Sequence, residues 1–126
     1  MTITMIYVRA PARQDLQVVA GNTFLDSFAI TLNGSAVDIT GWKARWSIWP
    51  KDSAAGTTAT LALTSTPAAG ITLGGVLGTV IVKATPAQTR ALTQAASEYQ
   101  FELEDAAGDV QCYKCGVLTL VAEIAV

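Results

Sequence analysis

Two side chains that could carry out chemistry are the cysteines Cys112 and Cys115. Their Cys-x-x-Cys spacing is that of half a zinc site, but a closed site needs four ligands, and the chain has no histidine and no second cysteine pair. If both lie in one extended strand, their side chains point to opposite faces, which disfavours a shared metal or a disulfide bridge. We therefore expect two reduced thiols, at least one of them packed as a small apolar residue.

A cluster of carboxylates, Glu102, Glu104, Asp105 and Asp109, is the other candidate for chemistry, because paired carboxylates can act as acid and base. The first two share a strand face that has the pattern of a solvated surface, and the last two flank a turn whose spacing does not match an EF-hand loop. Without histidine there is no imidazole base for a Ser-His-Asp or Cys-His arrangement. We expect no catalytic residue, no metal and no cofactor, and no enzymatic activity.

Composition indicates one folded domain. Of the 126 residues, 51% are hydrophobic and only 14% are charged, far from the composition of disordered chains. The net charge of -2 provides no basic field, so we expect no binding to nucleic acid or to a membrane surface. The uncharged stretch between Asp52 and Lys83 is long, but its threonines, glycines and Pro67 indicate strands and turns rather than a membrane span.

Short segments with apolar residues at every second position predict antiparallel strands with one buried face. The clearest is the set Trp42, Ala44, Trp46 and Ile48, which alternates with Lys43, Arg45 and Ser47. Asp26 breaks the apolar parity of an earlier strand, which suggests a bulge or a sheet edge. Asn33-Gly34 predicts a type I′ hairpin. Thr85-Pro86 predicts the start of a short helix that continues to about Ala96.

Two further strands complete the pattern. One carries Tyr99, Phe101 and Leu103 on its inner face, and the last runs from Val110 to Val126, with a bulge expected at Gly116. The predicted fold is all-β: an immunoglobulin-like antiparallel β-sandwich of about seven strands with one short helix before the penultimate strand. We assign residues 16–126 to this sandwich and residues 1–15 to an N-terminal extension or assembly arm.

Two features are candidates for assembly contacts. In the N-terminal segment, Met1, Ile3, Met5 and Tyr7 share one parity, so the segment can add as a strand to the sheet edge of a neighbouring subunit, or it can complete its own sandwich. Trp49 has the opposite parity to the inward-facing tryptophan of its strand. It is therefore either an outward contact residue or a residue covered by a loop.

Several segments resemble, in their order along the chain, the N-terminal immunoglobulin-like domain of bacteriophage baseplate upper proteins and related tail or head accessory proteins. They are Gly21-Asn22-Thr23-Phe24, Val37-Asp38-Ile39-Thr40-Gly41-Trp42, Trp46-Ser47-Ile48-Trp49-Pro50, Gly70-Ile71-Thr72-Leu73, Gly78-Thr79-Val80, Thr85-Pro86-Ala87-Gln88-Thr89 with Leu92, Tyr99-Gln100-Phe101-Glu102-Leu103-Glu104-Asp105, Gly108 and Gly116. The resemblance spans about Leu16 to the C-terminus. The segment Met1 to Asp15 and the Cys-Tyr-Lys-Cys tetrapeptide depart from it.

The resemblance implies a non-enzymatic structural component of a phage particle, made in the bacterial cytoplasm and located in the virion. Its expected partners are other virion proteins and copies of itself, with no small-molecule substrate. The alternative is a sandwich that binds a glycan or a host surface through Trp42, Trp49 or Tyr113, because sugar sites favour exposed aromatic rings beside polar groups.

Overall fold

The computed structural model describes residues 12–54, 56–93 and 96–122. Within these residues the chain forms eleven strands, one α-helix and one 3₁₀ helix. The strands are β1 (Ala12–Arg13), β2 (Leu16–Val19), β3 (Phe24–Ala29), β4 (Thr31–Leu32), β5 (Ser35–Ala36), β6 (Lys43–Pro50), β7 (Leu61–Thr64), β8 (Ile71–Leu73), β9 (Thr79–Ala84), β10 (Ala96–Glu104) and β11 (Val110–Val121). The helix α1 spans Pro86–Arg90, and the 3₁₀ helix spans Gly75–Leu77.

The strands form two larger sheets and one two-stranded hairpin. The main sheet has the order β1-β11-β10-β6-β7, with β2 also paired to β11, and the second sheet has the order β3-β9-β8. All pairings are antiparallel except those of β1 and β2, which run parallel to β11. The predicted immunoglobulin-like sandwich is confirmed. The strands exceed the predicted seven because Gln14 and Asp15 separate β1 from β2, and because β4 and β5 form a separate small hairpin.

The local signals for turns and helix act as predicted. Asn33 and Gly34 have φ angles of 52° and 82°, and this turn joins β4 to β5. Thr85 caps α1 by accepting a hydrogen bond from the backbone N–H of Gln88, whose side chain accepts one in return from the N–H of Thr85. The helix ends at Arg90, earlier than expected. In the described parts of the chain no helix has the length and apolar character needed to cross a bilayer.

Aromatic rings join the two sheets across the core. Phe24 of β3 stacks on Trp46 of β6 with ring centroids 5.5 Å apart, and Phe28 meets the ring of Phe101 edge-on at 4.9 Å. Such pairs stabilise beyond the burial of their area, by about 0.5–1.5 kcal/mol each. The predicted inner faces of two central strands are confirmed as buried, and their members are Trp42, Ala44, Trp46, Ile48, Tyr99, Phe101 and Leu103.

A bulge interrupts β11 at Tyr113. Glu102 of β10 pairs with Cys112, but the preceding residue, Phe101, pairs with Lys114, so Tyr113 is one extra residue in the ladder. The prediction of a bulge at Gly116 is therefore wrong, because the bulge of this strand lies at Tyr113. Gly116 pairs regularly with Tyr99. It is a glycine for another reason: a Cβ there would lie 2.3 Å from the backbone oxygen of Gln14.

The bulge turns Lys114 into the space between the sheets, where it meets Asp26 of β3. The Lys114 Nζ lies 2.6 Å from Asp26 Oδ2, and the two side chains are only 9% and 13% exposed. The ammonium also lies 4.4 Å from the centroid of the Phe28 ring. Asp26 breaks the apolar pattern because it neutralises this lysine. Of the two alternatives expected for Asp26, the sheet edge is correct, because β3 is an edge strand. The bulge is not, because the register of β3 with β9 is regular.

Removing one partner of this buried pair should destabilise the fold strongly, because the other charge stays buried without compensation. We expect Lys114→Met to lower the free energy of unfolding by about 3 kcal/mol. The double variant Asp26→Leu/Lys114→Met should recover most of that loss. Urea unfolding followed by tryptophan fluorescence measures both.

Lys43→Met is the matched control, because the exposed Lys43 pairs with Glu104 only at 4.0 Å. We expect a change within about 0.5 kcal/mol for this variant. A Lys114→Met variant as stable as Lys43→Met would show that the inter-sheet pair is not buried as described.

Candidate functional site

The outward face of the main sheet carries a groove of about 570 Å³. Its floor is formed by β10 and β11, one wall by Trp49 with the loop after β6, and the other wall by Arg13 of β1. The lining residues are Arg13, Trp49, Ser53, Ala54, Gly56, Thr57, Glu98, Tyr99, Gln100, Cys115, Gly116 and Val117. A half-buried aromatic ring with polar and charged groups around it is the composition of a ligand-binding cleft.

Trp49 is half-buried and its orientation is fixed by the loop. The indole Nε1–H donates a hydrogen bond to the backbone oxygen of Thr57, at 3.1 Å, and the loop returns to the sheet where the Thr60 N–H donates to the oxygen of Ile48, at 2.7 Å. The two interpretations of Trp49, an outward contact residue and a residue covered by a loop, each describe part of the side chain. The loop holds its polar edge, and the remainder lines the groove. Its role as an assembly contact stays a prediction.

The opposite wall is built by the segment between β1 and β2. Arg13 pairs with Cys115 in the sheet, and the Gln14 N–H donates to the Cys115 oxygen at 3.0 Å. Asp15 accepts a hydrogen bond from the N–H of Val117 at 3.0 Å and lies 3.5 Å from the Arg13 guanidinium. These contacts place residues 12–15, the end of the predicted extension, along β11, whereas Met1, Ile3, Met5 and Tyr7 lie outside the described residues.

The phenol of Tyr99 anchors this wall from within the core. Its hydroxyl donates a hydrogen bond to the backbone oxygen of Gln14, and its ring lies 5.8 Å from that of Trp46. Burial, followed by the negative charge of Asp26, raises the pKa of the Tyr99 phenol above its ordinary value, so the hydroxyl remains a hydrogen-bond donor in neutral solution.

The two thiols lie on the same outward face of β11, and the expectation of opposite faces is wrong. Cys112 pairs with Glu102, and Cys115 pairs with Gln100, which is the next residue of β10 on that face. The extra residue at Tyr113 shifts the alternation by one position, and the original expectation assumed an unbroken strand. Both cysteines are free and half-buried.

The two thiols differ in their surroundings. Burial raises the pKa of Cys112 to about 11, and the neighbouring charge of Cys115 adds to the effect. The Cys112 thiol also contacts the backbone oxygen of Lys114, with the sulfur and oxygen 3.7 Å apart. Cys115, by contrast, lines the groove.

The carboxylates near the end of β10 are engaged in structure. Glu102 accepts hydrogen bonds from the Arg45 guanidinium at 3.0 and 3.1 Å, and one oxygen of Asp105 accepts from the backbone N–H groups of Ala107 and Asp109. Among the described residues, no group of three or more cysteine, histidine, aspartate or glutamate side chains is arranged to hold a metal ion.

One stretch of β11 has an edge that no described strand covers. On that side of the strand, β1 covers Lys114 and Cys115, and β2 covers Leu118 to Val121. Within the described residues no strand pairs with Val110, Gln111 or Cys112 there. Val110 itself is 48% exposed.

Sequence reasoning identified Trp49 but not the rest of this surface. Trp42, proposed together with Trp49 and Tyr113 for glycan binding, is buried in the core, and Tyr113, the extra residue of the bulge, packs against the core. Arg13 and Glu98 of the groove were not foreseen. The sequence offered one signal, which is that Asp26 and Lys114 are charged residues of opposite sign at inward-facing positions. Together they indicate that the alternation of side chains changes within β11.

The glycine under the Arg13 wall gives a direct test of this geometry. In Gly116→Ala the new methyl group would meet backbone atoms of Gln14, which cannot rotate away as a side chain can. We expect a loss of about 1–3 kcal/mol of unfolding free energy in urea. Thr119→Ala, exposed on the same strand, is the control and should change stability by about 0.5 kcal/mol or less. Equal stabilities of the two variants would contradict the close approach.

Comparison with known proteins identifies no family for this chain. No protein-family model matches the chain, and a search of the curated proteins found no similar sequence. Among solved structures, the extracellular domains of the voltage-gated sodium channel beta4 subunit, described as parallel homodimers with a role in cell-cell adhesion, are 9% identical, with a TM-score of 0.43 over 93% of this chain and 98% of that one. Extracellular domains 3–5 of Drosophila OTK are 14% identical, with a TM-score of 0.37 over 94% of this chain and 35% of that one. At these values the likeness supports no conclusion about function or partners.

Proposed function

We propose that this protein is a non-enzymatic structural component of a bacteriophage particle, which acts through contacts with copies of itself and with other virion proteins. The observation that carries the proposal is the edge of β11 from Val110 to Cys112, which no strand of the described residues covers. It lies next to β1, where the N-terminal segment joins the sheet.

An open edge offers backbone N–H and C=O groups to a strand from another chain. Strand addition of this kind draws its affinity from main-chain hydrogen bonds and its specificity from alternate side chains. Val110 supplies an apolar side chain, 48% exposed, on the surface that an added strand would cover. This stretch of β11 therefore has both elements of an assembly contact.

The occupant we propose is the N-terminal segment of a neighbouring copy. Residues 1–8 are rich in β-branched and apolar residues and contain no charged side chain. Met1, Ile3, Met5 and Tyr7 share a parity, so one face of the added strand would be apolar throughout. The order of short segments that resembles phage baseplate, tail and head accessory domains supports the same setting.

Deleting residues 1–11 tests the arm while keeping residues 12–15, which belong to the sheet. We expect the truncated chain to fold, with an unfolding midpoint close to that of the full chain. Quantitative mass spectrometry should show that its amount in purified phage particles is about tenfold lower than that of the full chain. Normal incorporation of the truncated chain would refute the arm. Absence of the full chain from purified particles would refute the structural role itself.

A charge at the open edge tests the receiving surface. Val110→Lys places an ammonium on the edge, a device by which natural sheets avoid pairing. We expect it to reduce self-association in sedimentation velocity and incorporation into particles. The control is Val76→Lys, because Val76 is 65% exposed but lies in the 3₁₀ helix away from this edge. Equal effects of the two variants would contradict a specific role of β11.

The groove beside Trp49 favours a second candidate, binding of a glycan. The tryptophan is held in one orientation by Thr57, and Arg13, Glu98 and Gln100 supply hydrogen-bonding groups within the same groove. An apolar ring with a few fixed polar groups is a common arrangement for orienting a small ligand.

A glycan array separates the two functions. If the groove binds sugar, the full chain gives signals for a defined set of glycans, and Trp49→Ala removes them while the unfolding midpoint shows that the variant is folded. Thr119→Ala, on an exposed site outside the groove lining, should keep the signals. An array without specific signals would leave the assembly role as the function to pursue.

A further inference from the structure

The bulge in β11 brings two thiols together that an unbroken strand would separate. Cys112 and Cys115 lie opposite Glu102 and Gln100, alternate residues on one face of β10. Alternate residues of a strand are about 6.7 Å apart. The extra residue lengthens the path along β11, so closing a disulfide, whose Cα atoms lie within about 6.8 Å of each other, requires the bulged segment to draw the two cysteines together. Both side chains are half-buried on that face, and Cys115 lies near enough for its charge to be the second cause of the raised pKa of Cys112.

We propose that Cys112 and Cys115 form a reversible, redox-active dithiol: a modification site at which a small disulfide such as oxidised glutathione converts the two thiols into an intramolecular disulfide.

The segment that must adjust to close the bond contains the bulge of β11. A bulge locally disrupts the ladder, and Cys112 lies directly next to it. Cys115 is held on both sides, by Gln100 and by Arg13. We therefore expect Cys112 to move toward a fixed Cys115. A disulfide at the limit of the favourable geometry is strained, and strained disulfides are easily reduced.

A metal site is the weaker assignment for the same pair. A soft metal ion needs further ligands beyond two thiolates. In the described part of the chain, the groups near the pair do not supply a third cysteine, histidine, aspartate or glutamate in an arrangement that holds an ion. Glu102, the carboxylate whose charge acts on Cys112, is engaged by Arg45.

The chemistry proceeds in two exchanges. Cys115, which lines the groove, loses its proton to solvent, and its thiolate attacks one sulfur of oxidised glutathione, whose disulfide breaks and releases one glutathione thiolate. Cys112 then loses its proton to solvent, and its thiolate attacks the Cys115 sulfur of the mixed disulfide and displaces the second glutathione as a thiolate. The two glutathione thiolates take up two protons from solvent, which replace those that the cysteines lost. Two protein thiols are oxidised, and one glutathione disulfide is reduced to two glutathione molecules.

The surroundings of the thiols set this order. Burial keeps Cys112 neutral by raising its pKa to about 11, so it reacts slowly with a reagent in solution. The charge of Cys115 is the second cause of that raised pKa. Once Cys115 is in a mixed disulfide, this charge is gone, and Cys112 loses its proton more readily next to its target.

Intact-mass spectrometry of the full chain treated with oxidised glutathione at mildly alkaline pH tests the proposal. We expect the folded protein to lose the mass of two hydrogen atoms, without a lasting glutathione adduct, and to recover the original mass with excess reduced glutathione. The Cys112→Ser variant should accumulate one glutathione at Cys115. The Cys115→Ser variant should take up glutathione about tenfold more slowly, at Cys112.

Three results would overturn the proposal. They are a stable glutathione adduct on the unaltered chain, disulfide-linked dimers in place of the internal bond, and thiols that react only after urea unfolding. Unfolding midpoints of both serine variants show that they are folded before their rates are compared. Equal rates for the two variants would refute the assigned order of attack.

Discussion

The extra residue at Tyr113 determines which side chains of β11 face the core. It places Lys114 inward against Asp26 and leaves Cys112 and Cys115 together on the outer face. Because side chains alternate along a strand, one inserted residue reverses every assignment beyond it. The core, the groove and the thiol pair therefore depend on a single irregularity of the backbone.

The pair of Lys114 and Asp26 shows how the sandwich accommodates that irregularity. A charge between two sheets is costly unless it is matched, and here a carboxylate, an ammonium and the face of the Phe28 ring meet at one point. Apolar residues at both positions would hold the sheets together in many registers. A charged pair favours the one register in which the two groups meet, which is the specificity that we attribute to it.

The sequence predicts the parts of this structure that depend on local chemistry. Alternation predicts the buried faces of β6 and β10, Asn33-Gly34 predicts its hairpin, and Thr85-Pro86 predicts the capped helix. The position of the bulge could not be predicted in this way, because Gly116 has the residue type expected of a bulge and Tyr113 does not. Gly116 is required instead by the close approach of the Gln14 backbone, a contact between residues far apart in the chain. The groove was missed for the same reason, since only the sheet order places Arg13 and Trp49 on the two sides of one groove.

The most direct measurement of the register is the set of nuclear Overhauser contacts made by the Phe28 ring in the folded protein. If the bulge lies at Tyr113, the ring protons contact the ε-methylene of Lys114 and make no contact with the β-methylene of Cys115. Contacts from Cys115 to the Phe28 ring, with a Lys114 side chain free in solvent, would contradict the parity on which the core, the groove and the dithiol are all based.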